Sequence, residues 1–168
     1  MVTGLKETSS IISIGFSATE SAANTFTQAT VDLQLNPLDN EVFVVYAVDL
    51  DTSPPDTAAG LNSAVFTSVS TTNRTTVGNL SNSNVIATGS NEIRGGIADG
   101  VGFSSSSTDA PPTTLPYIAI ISTNDFAIQV AGVNNVSAKS VSGRLYGVRA
   151  TASASIYAAL VQSELLSA

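Results

Sequence analysis

Asp49-Leu50-Asp51, followed five residues later by Asp56, is the only acidic cluster in the chain. In an extended backbone successive side chains alternate, so Asp49 and Asp51 share a face at a spacing of about 7 Å. A loop folding back after Pro54-Pro55 would bring Asp56 to them, and three carboxylates suit a hard cation such as Ca2+. The spacing is not that of an EF-hand loop, and a strand end followed by a solvated turn accounts for the same residues. Asp49, Asp51 and Asp56 are the metal candidates, and Ca2+ is the one cofactor they point to.

Other chemistries lack their parts. The chain contains no His and no Cys, which removes the usual general bases, thiol nucleophiles and transition-metal ligands. Ser is abundant, but there is no Gly-x-Ser-x-Gly elbow and no imidazole to activate it. Lys139 is left as the partner for a Ser–Lys pair. The five Glu residues lie in separate contexts, unlike the paired carboxylates of a glycosidase. Gly95-Gly96 through Gly102 is glycine-rich yet has neither the Lys nor the spacing of a phosphate loop. These absences predict a protein that is not an enzyme.

The elements that would carry these residues follow a period of two. In Ala29-Thr30-Val31-Asp32-Leu33-Gln34-Leu35 the odd positions are apolar and the even ones polar, the pattern of a strand with one buried face. Residues 36–40 read as a turn and residues 42–50 as a central strand, broken by Pro54-Pro55 because proline cannot donate to a ladder. Further strands are expected over 64–71, 84–93, 115–122, 125–133 and 140–150. A weakly marked strand is expected near 97–103, and an N-terminal one over 10–16. Asn124-Asp125 and Asn134-Asn135 stand where hairpin turns are expected. Residues 54–62 and 95–112 read as long loops. Short strands at regular spacing with turn signals between them predict a sandwich or a barrel.

From Ser153 the pattern changes. Tyr157, Val161 and Leu165 fall four apart with Leu160 beside them, one apolar stripe on a short helix capped by Ser153 or Ser155. A helix this short is marginal alone. It therefore packs on its own sheet or docks on an adjacent subunit, and Tyr157, Leu160, Val161 and Leu165 are the candidate contact residues. Three segments result: residues 1–24 with room for one extra strand, a β-sandwich over 25–152, and the helical tail over 153–168.

Charged residues make up 11% of the chain, against about 25% in an ordinary soluble domain. Interface cores are depleted in charge, so this composition suits a subunit whose sides neighbours cover. The net charge is −7, from 13 acidic and 6 basic residues, and the basic ones are scattered. Direct nucleic-acid binding is therefore not expected. No stretch approaches the roughly 18 apolar residues that span a bilayer, so membrane insertion is not expected. The N-terminus lacks the pattern of a secretory signal, which predicts synthesis in a cytoplasm. An aromatic platform for a sugar would have to use Tyr46 or Tyr117.

The strand series over residues 25–150, the Pro54-Pro55 loop, the Ser-rich stretch Ser104 to Ser107 and the helical tail together resemble a viral capsid protein of the single jelly-roll type. That resemblance implies an all-β, eight-stranded antiparallel jelly-roll sandwich with a short C-terminal α-helix. It implies a self-assembling coat subunit found in the virion, with copies of itself and other virion proteins as partners. The missing basic arm departs from RNA-packaging members and fits a prokaryotic virus whose genome a membrane or other proteins enclose. Two alternatives share the composition: a receptor- or glycan-binding head or fibre domain, and a virion decoration or tail-tube subunit.

Overall fold

The computed structural model describes residues 3–106 and 115–167 and contains two antiparallel five-stranded sheets with one C-terminal helix. The Pro111-Pro112 part of the expected 95–112 loop, and Ser107, lie outside the described residues. Sheet one is built from β1 (Leu5–Glu7), β2 (Ile12–Thr19), β4 (Glu41–Thr52), β8 (Ala119–Ile121) and β10 (Ser140–Ala152). Sheet two holds β3 (Thr27–Asp32), β5 (Ser63–Ser70), β6 (Val85–Gly95), β7 (Gly100–Ser106) and β9 (Asp125–Val133) in the order β3-β9-β5-β6-β7. In sheet one β10 is flanked by β4 on one side and by β1 and β2, end to end, on the other; β8 pairs with the far edge of β4.

Period two is obeyed where it matters for the core. Val45, Val65, Phe126, Ile128 and Leu145 fill the space between the sheets, and Phe16 meets Phe126 edge-on with ring centroids 5.7 Å apart. In β4 the inward parity changes once. Phe43 and Val45 face the inter-sheet core, but beyond the irregularity opposite Tyr146 and Gly147 the inward residues are Val48 and Leu50. The extra residue is Tyr46, which has no partner in the β10 register. Without this bulge the odd parity that buries Phe43 would bury Asp49 and Asp51 as well; with it, both are exposed.

Several expectations are corrected. Asn124-Asp125 and Asn134-Asn135 are not hairpin turns, because β8 and β10 belong to sheet one while β9 belongs to sheet two. Both are corners at which the chain crosses between sheets. Asn134 has a positive φ of 55° and donates its amide to Asn62 O at 2.8 Å, while the Asn135 amide reaches Ala64 O at 2.9 Å. A corner thus needs the same turn-forming side chains as a hairpin. The consecutive strands that do pair are β5 with β6 and β6 with β7. The glycine-rich stretch is therefore partly a hairpin, with Gly95 opposite Gly100. The strand expected over 115–122 shrinks to the three residues of β8. The N-terminal segment supplies two strands rather than one, since β1 is too short for periodicity to mark.

Outside sheet one, Val42, Val44, Val148 and Ala150 form a second apolar layer, covered by helix α1 (Ala154–Ser167) through Ile156, Tyr157 and Leu160. Outside sheet two the cover is polar. Ser68, Ser70 and Gln129 are completely buried beneath residues 71–84. Gly78 N–H donates to Ser68 Oγ at 3.0 Å, Ser68 to Gln129 Oε1 at 2.6 Å, and Gln129 to Ser70 Oγ at 2.8 Å. Among the described residues no helix is long and apolar enough to cross a membrane.

Candidate functional site

Asp49 and Asp51 sit on the exposed face of β4, in register with Arg144 and Ser142 of β10. Asp56 lies beyond the strand, in the connection to β5, where its carboxylate is already committed. Lys139 Nζ donates to Oδ1 at 2.6 Å; Val136 N–H, Ser137 N–H and Ser137 Oγ–H donate to Oδ2 at 3.0, 3.0 and 2.9 Å. The Lys139 contact first, and the Ser137 hydroxyl next, hold the Asp56 carboxyl well below the usual carboxylate range. Among the described residues no three His, Cys, Asp or Glu side chains come together as a metal would require. Asp49 and Asp51 face solvent side by side beyond the bulge, and Asp56 turns to Lys139.

Asp56 belongs instead to a polar corner that ties four segments. Asp56 N–H donates to Asn135 Oδ1 at 2.8 Å, and Asn135 N–H donates to Asn24 Oδ1 at 2.7 Å. Glu20, at the end of β2, is buried and accepts Gly132 N–H at 2.6 Å and Lys139 N–H at 2.8 Å. Lys139 is itself buried with its charge paired to Asp56, so it has no free amine for a Ser–Lys couple. The chemistry of this corner is structural: it fastens the β9–β10 crossing to the loops before β3 and β5.

The helix presents a different arrangement. Ser153 takes the N-cap position, its carbonyl receiving Tyr157 N–H at 2.9 Å. The face turned to the sheet is Ile156, Leu160 and Glu164, spaced four apart. Of the four expected contact residues, Leu160 packs inward on the second apolar layer and Tyr157 leans on its edge. Val161 and Leu165 turn outward with Ala158, Gln162 and Leu166, making a shallow apolar patch in which Leu165 is 65% and Leu166 79% exposed. Apolar residues surround this helix, so a four-residue spacing alone could not tell which stripe docks.

Glu164 is the residue that spacing concealed, because a charged side chain reads as solvent-facing. It is 8% exposed and caps the turn after β8. Its Oε2 accepts Ser122 Oγ–H at 2.6 Å and Thr123 N–H at 2.9 Å, and Ser122 N–H is shared between Oε1 at 3.1 Å and Oε2 at 3.2 Å. Burial pushes its carboxyl above the ordinary value, and the Ser122 and Thr123 hydrogen bonds hold back part of that rise. Tyr46 and Tyr117 are half-buried against the second apolar layer. Tyr46 O–H donates to Glu7 Oε1 at 2.9 Å, and burial, then the Glu7 hydrogen bond and charge, raise the phenol above its ordinary value. Compared with known proteins, the chain matches no family model, no curated protein and no solved structure.

Proposed function

We propose that this chain is the repeating coat subunit of a viral shell, a jelly roll that assembles with copies of itself and with other virion proteins. The jelly-roll reading rests on the nesting of the strand pairs. The first strand region pairs with the last (β2 with β10), the next with the next-to-last (β3 with β9), then β4 with β8 and β5 with β6. A long antiparallel hairpin rolled across two sheets produces this nesting, with β1 continuing the first strand and β7 added at the edge. Jelly rolls recur in capsid and lectin domains and in cupins, and a fold does not fix a function.

The observation that favours assembly over those relatives is the outward face of α1. Val161, Leu165 and Leu166 form an apolar patch on a helix already fastened to its own sheet. A patch of this size is too small to hold two copies together by itself, so it suits one of many weak contacts repeated across a shell, and the sparse charge of the chain agrees with sides covered by neighbours. A cupin-type metal centre lacks its His ligands. The subunit would be made in a host cytoplasm and reside in the virion.

Light scattering coupled to size exclusion, with negative-stain microscopy of each peak, tests the proposal. Closed shells, sheets, or pentamers and hexamers are expected. Leu165→Ser combined with Leu166→Ser should abolish these while leaving the sandwich folded by circular dichroism, since both side chains face solvent. A discrete trimer or a monomer that stays dispersed at high concentration would overturn the proposal in favour of a receptor-binding or decoration domain.

A further inference from the structure

Sheet two ends at β7, and no described strand pairs with its outer side. An open edge presents a row of unpaired N–H and C=O groups, a template for another strand, and proteins blunt it with charge, proline, short length or a cover. β1 and β8 are three residues long, β3 carries Asp32, and β2 turns Ile12, Ile14 and Phe16 toward the core. β7 has none of these guards. Its seven residues, Gly100–Ser106, include no charge and no proline, and Val101 and Phe103 are 61% and 57% exposed.

The phase of the free groups follows from the hairpin. Gly96 N–H donates to Asp99 O, and the same register continues as Arg94 with Val101 and Glu92 with Phe103. In an antiparallel ladder hydrogen-bonded pairs alternate with non-bonded ones. Val101 and Phe103 therefore bond to β6 through their backbone groups, and Gly100, Gly102 and Ser104 turn theirs to the open side. Side chains alternate too. Gly100 and Gly102 lie on the face of Ile93, while Val101 and Phe103 stand on the opposite face beside Arg94 and Glu92, which pair with each other at 3.1 Å.

A strand that fits this edge is uncharged, with bulky residues on the outer face and small ones on the inner. β7 is itself such a strand. Two copies laid antiparallel about an axis at Gly102 put Gly102 opposite Gly102 and Gly100 opposite Ser104, the positions whose backbone groups are free. Val101 of each copy then stands opposite Phe103 of the other, in the closer non-bonded pairs, a β-branched side chain against an aromatic one. No like charges meet: neither strand carries any, and Glu92 and Arg94 neutralise each other one strand back.

We propose that β7 is a self-docking edge, at which two copies of this chain join antiparallel about a two-fold axis at Gly102, so that their second sheets run on as one. This contact lies on the sheet away from α1, and it needs no closed shell.

The test is cross-linking, for which the chain is suited because it contains no Cys. A Cβ at Gly102 meets nothing closer than Glu92 O at 3.9 Å, and α-carbons paired across the axis would stand about 5.5 Å apart, within disulfide reach. The reaction runs in a glutathione redox buffer at about 0.15 M salt, which screens the repulsion between chains of net charge −7. Gly102→Cys should form a disulfide dimer about tenfold faster or more than Leu38→Cys, whose side chain is 91% exposed on the 3-10 turn over Pro37–Asp39. Adding Phe103→Lys should slow the Gly102→Cys reaction by about tenfold, since symmetry removes two Val–Phe pairs at once. A neighbouring cation by itself speeds a thiol, so slowing reports lost pairing. Equal rates at Gly102 and Leu38, or a Gly102→Cys rate unchanged by Phe103→Lys, would overturn the proposal and assign the edge to a different chain. Large assemblies without the Gly102 cross-link would keep the shell reading and overturn this one, and cross-linked pairs without larger assemblies would do the reverse.

Discussion

Asp56 and Glu164 are held by almost the same donors and behave in opposite ways. Each accepts two consecutive backbone N–H groups and a serine hydroxyl, Val136 and Ser137 for one, Ser122 and Thr123 for the other. Asp56 also has Lys139 and is drawn below the ordinary carboxylate range. Glu164 has no cation, lies deeper under the helix, and is pushed above it. Backbone donors alone do not decide the charge state of a carboxyl. The presence or absence of a counter-ion does, set against the solvent that burial removes.

The largest test of this contrast is Glu164→Ala. It leaves the Ser122 and Thr123 N–H groups without their acceptor and should cost about 2 kcal/mol. At about 2–4 °C per kcal/mol for a chain of this size, that is a Tm several degrees lower in a thermal melt. Ser122→Ala removes one hydroxyl donor and should cost about 1 kcal/mol; a denaturant midpoint reads it, and a loss equal to that of Glu164→Ala would mean that the backbone donors contribute little.

The pH dependences should run in opposite directions. Glu164 titrates above its ordinary 4.5, so its protonated form is favoured by the fold. Its contribution is complete below pH 4.5 and is lost as pH rises through the raised value. Asp56 titrates below its ordinary 3.8, so its contribution is complete above that pH and is lost as pH falls through the lowered value. Melts across pH should show the wild type losing ground to Glu164→Gln on the alkaline side of 4.5, and to Asp56→Asn on the acid side of 3.8. Parallel curves in both comparisons would break the contrast. The smallest effect on stability is expected on the other face of the same helix. Leu166→Ser should change it by less than about 0.5 kcal/mol, yet reduce the size of assemblies measured by light scattering.

Legibility in the sequence followed the burial of each element. β9 was readable to its bounds because Asp125–Val133 alternates cleanly and ends in turn residues at both sides. The 36–40 turn was readable because Asn36 and Asn40 bracket a proline; they cap a 3-10 turn over Pro37–Asp39. β1 was not, since three residues hold less than two periods. Glu164 and Gln129 escaped for a shared reason. Each is a polar residue buried because another segment brings donors to it, Ser122 and Thr123 in one case and Ser68 in the other. Such partners lie about 40 to 60 residues away in the chain, beyond the reach of any local pattern. Asp49, Asp51 and Asp56 are neighbours in sequence but form no group of three among the described residues; Asp56 is bonded instead to Lys139, which lies far along the chain.

The place of β10 in sheet one sets a timetable for synthesis. Every ladder of that sheet except the three-residue match of β4 with β8 is made with β10. The ribosome must therefore release residues up to about 152 before β1, β2 and β4 find their common neighbour. Contacts this distant along the chain are slow to form. Sheet two, whose strands are all complete by Val133, can close first, and an emerging chain carries half a sandwich until its last strand slides into the gap.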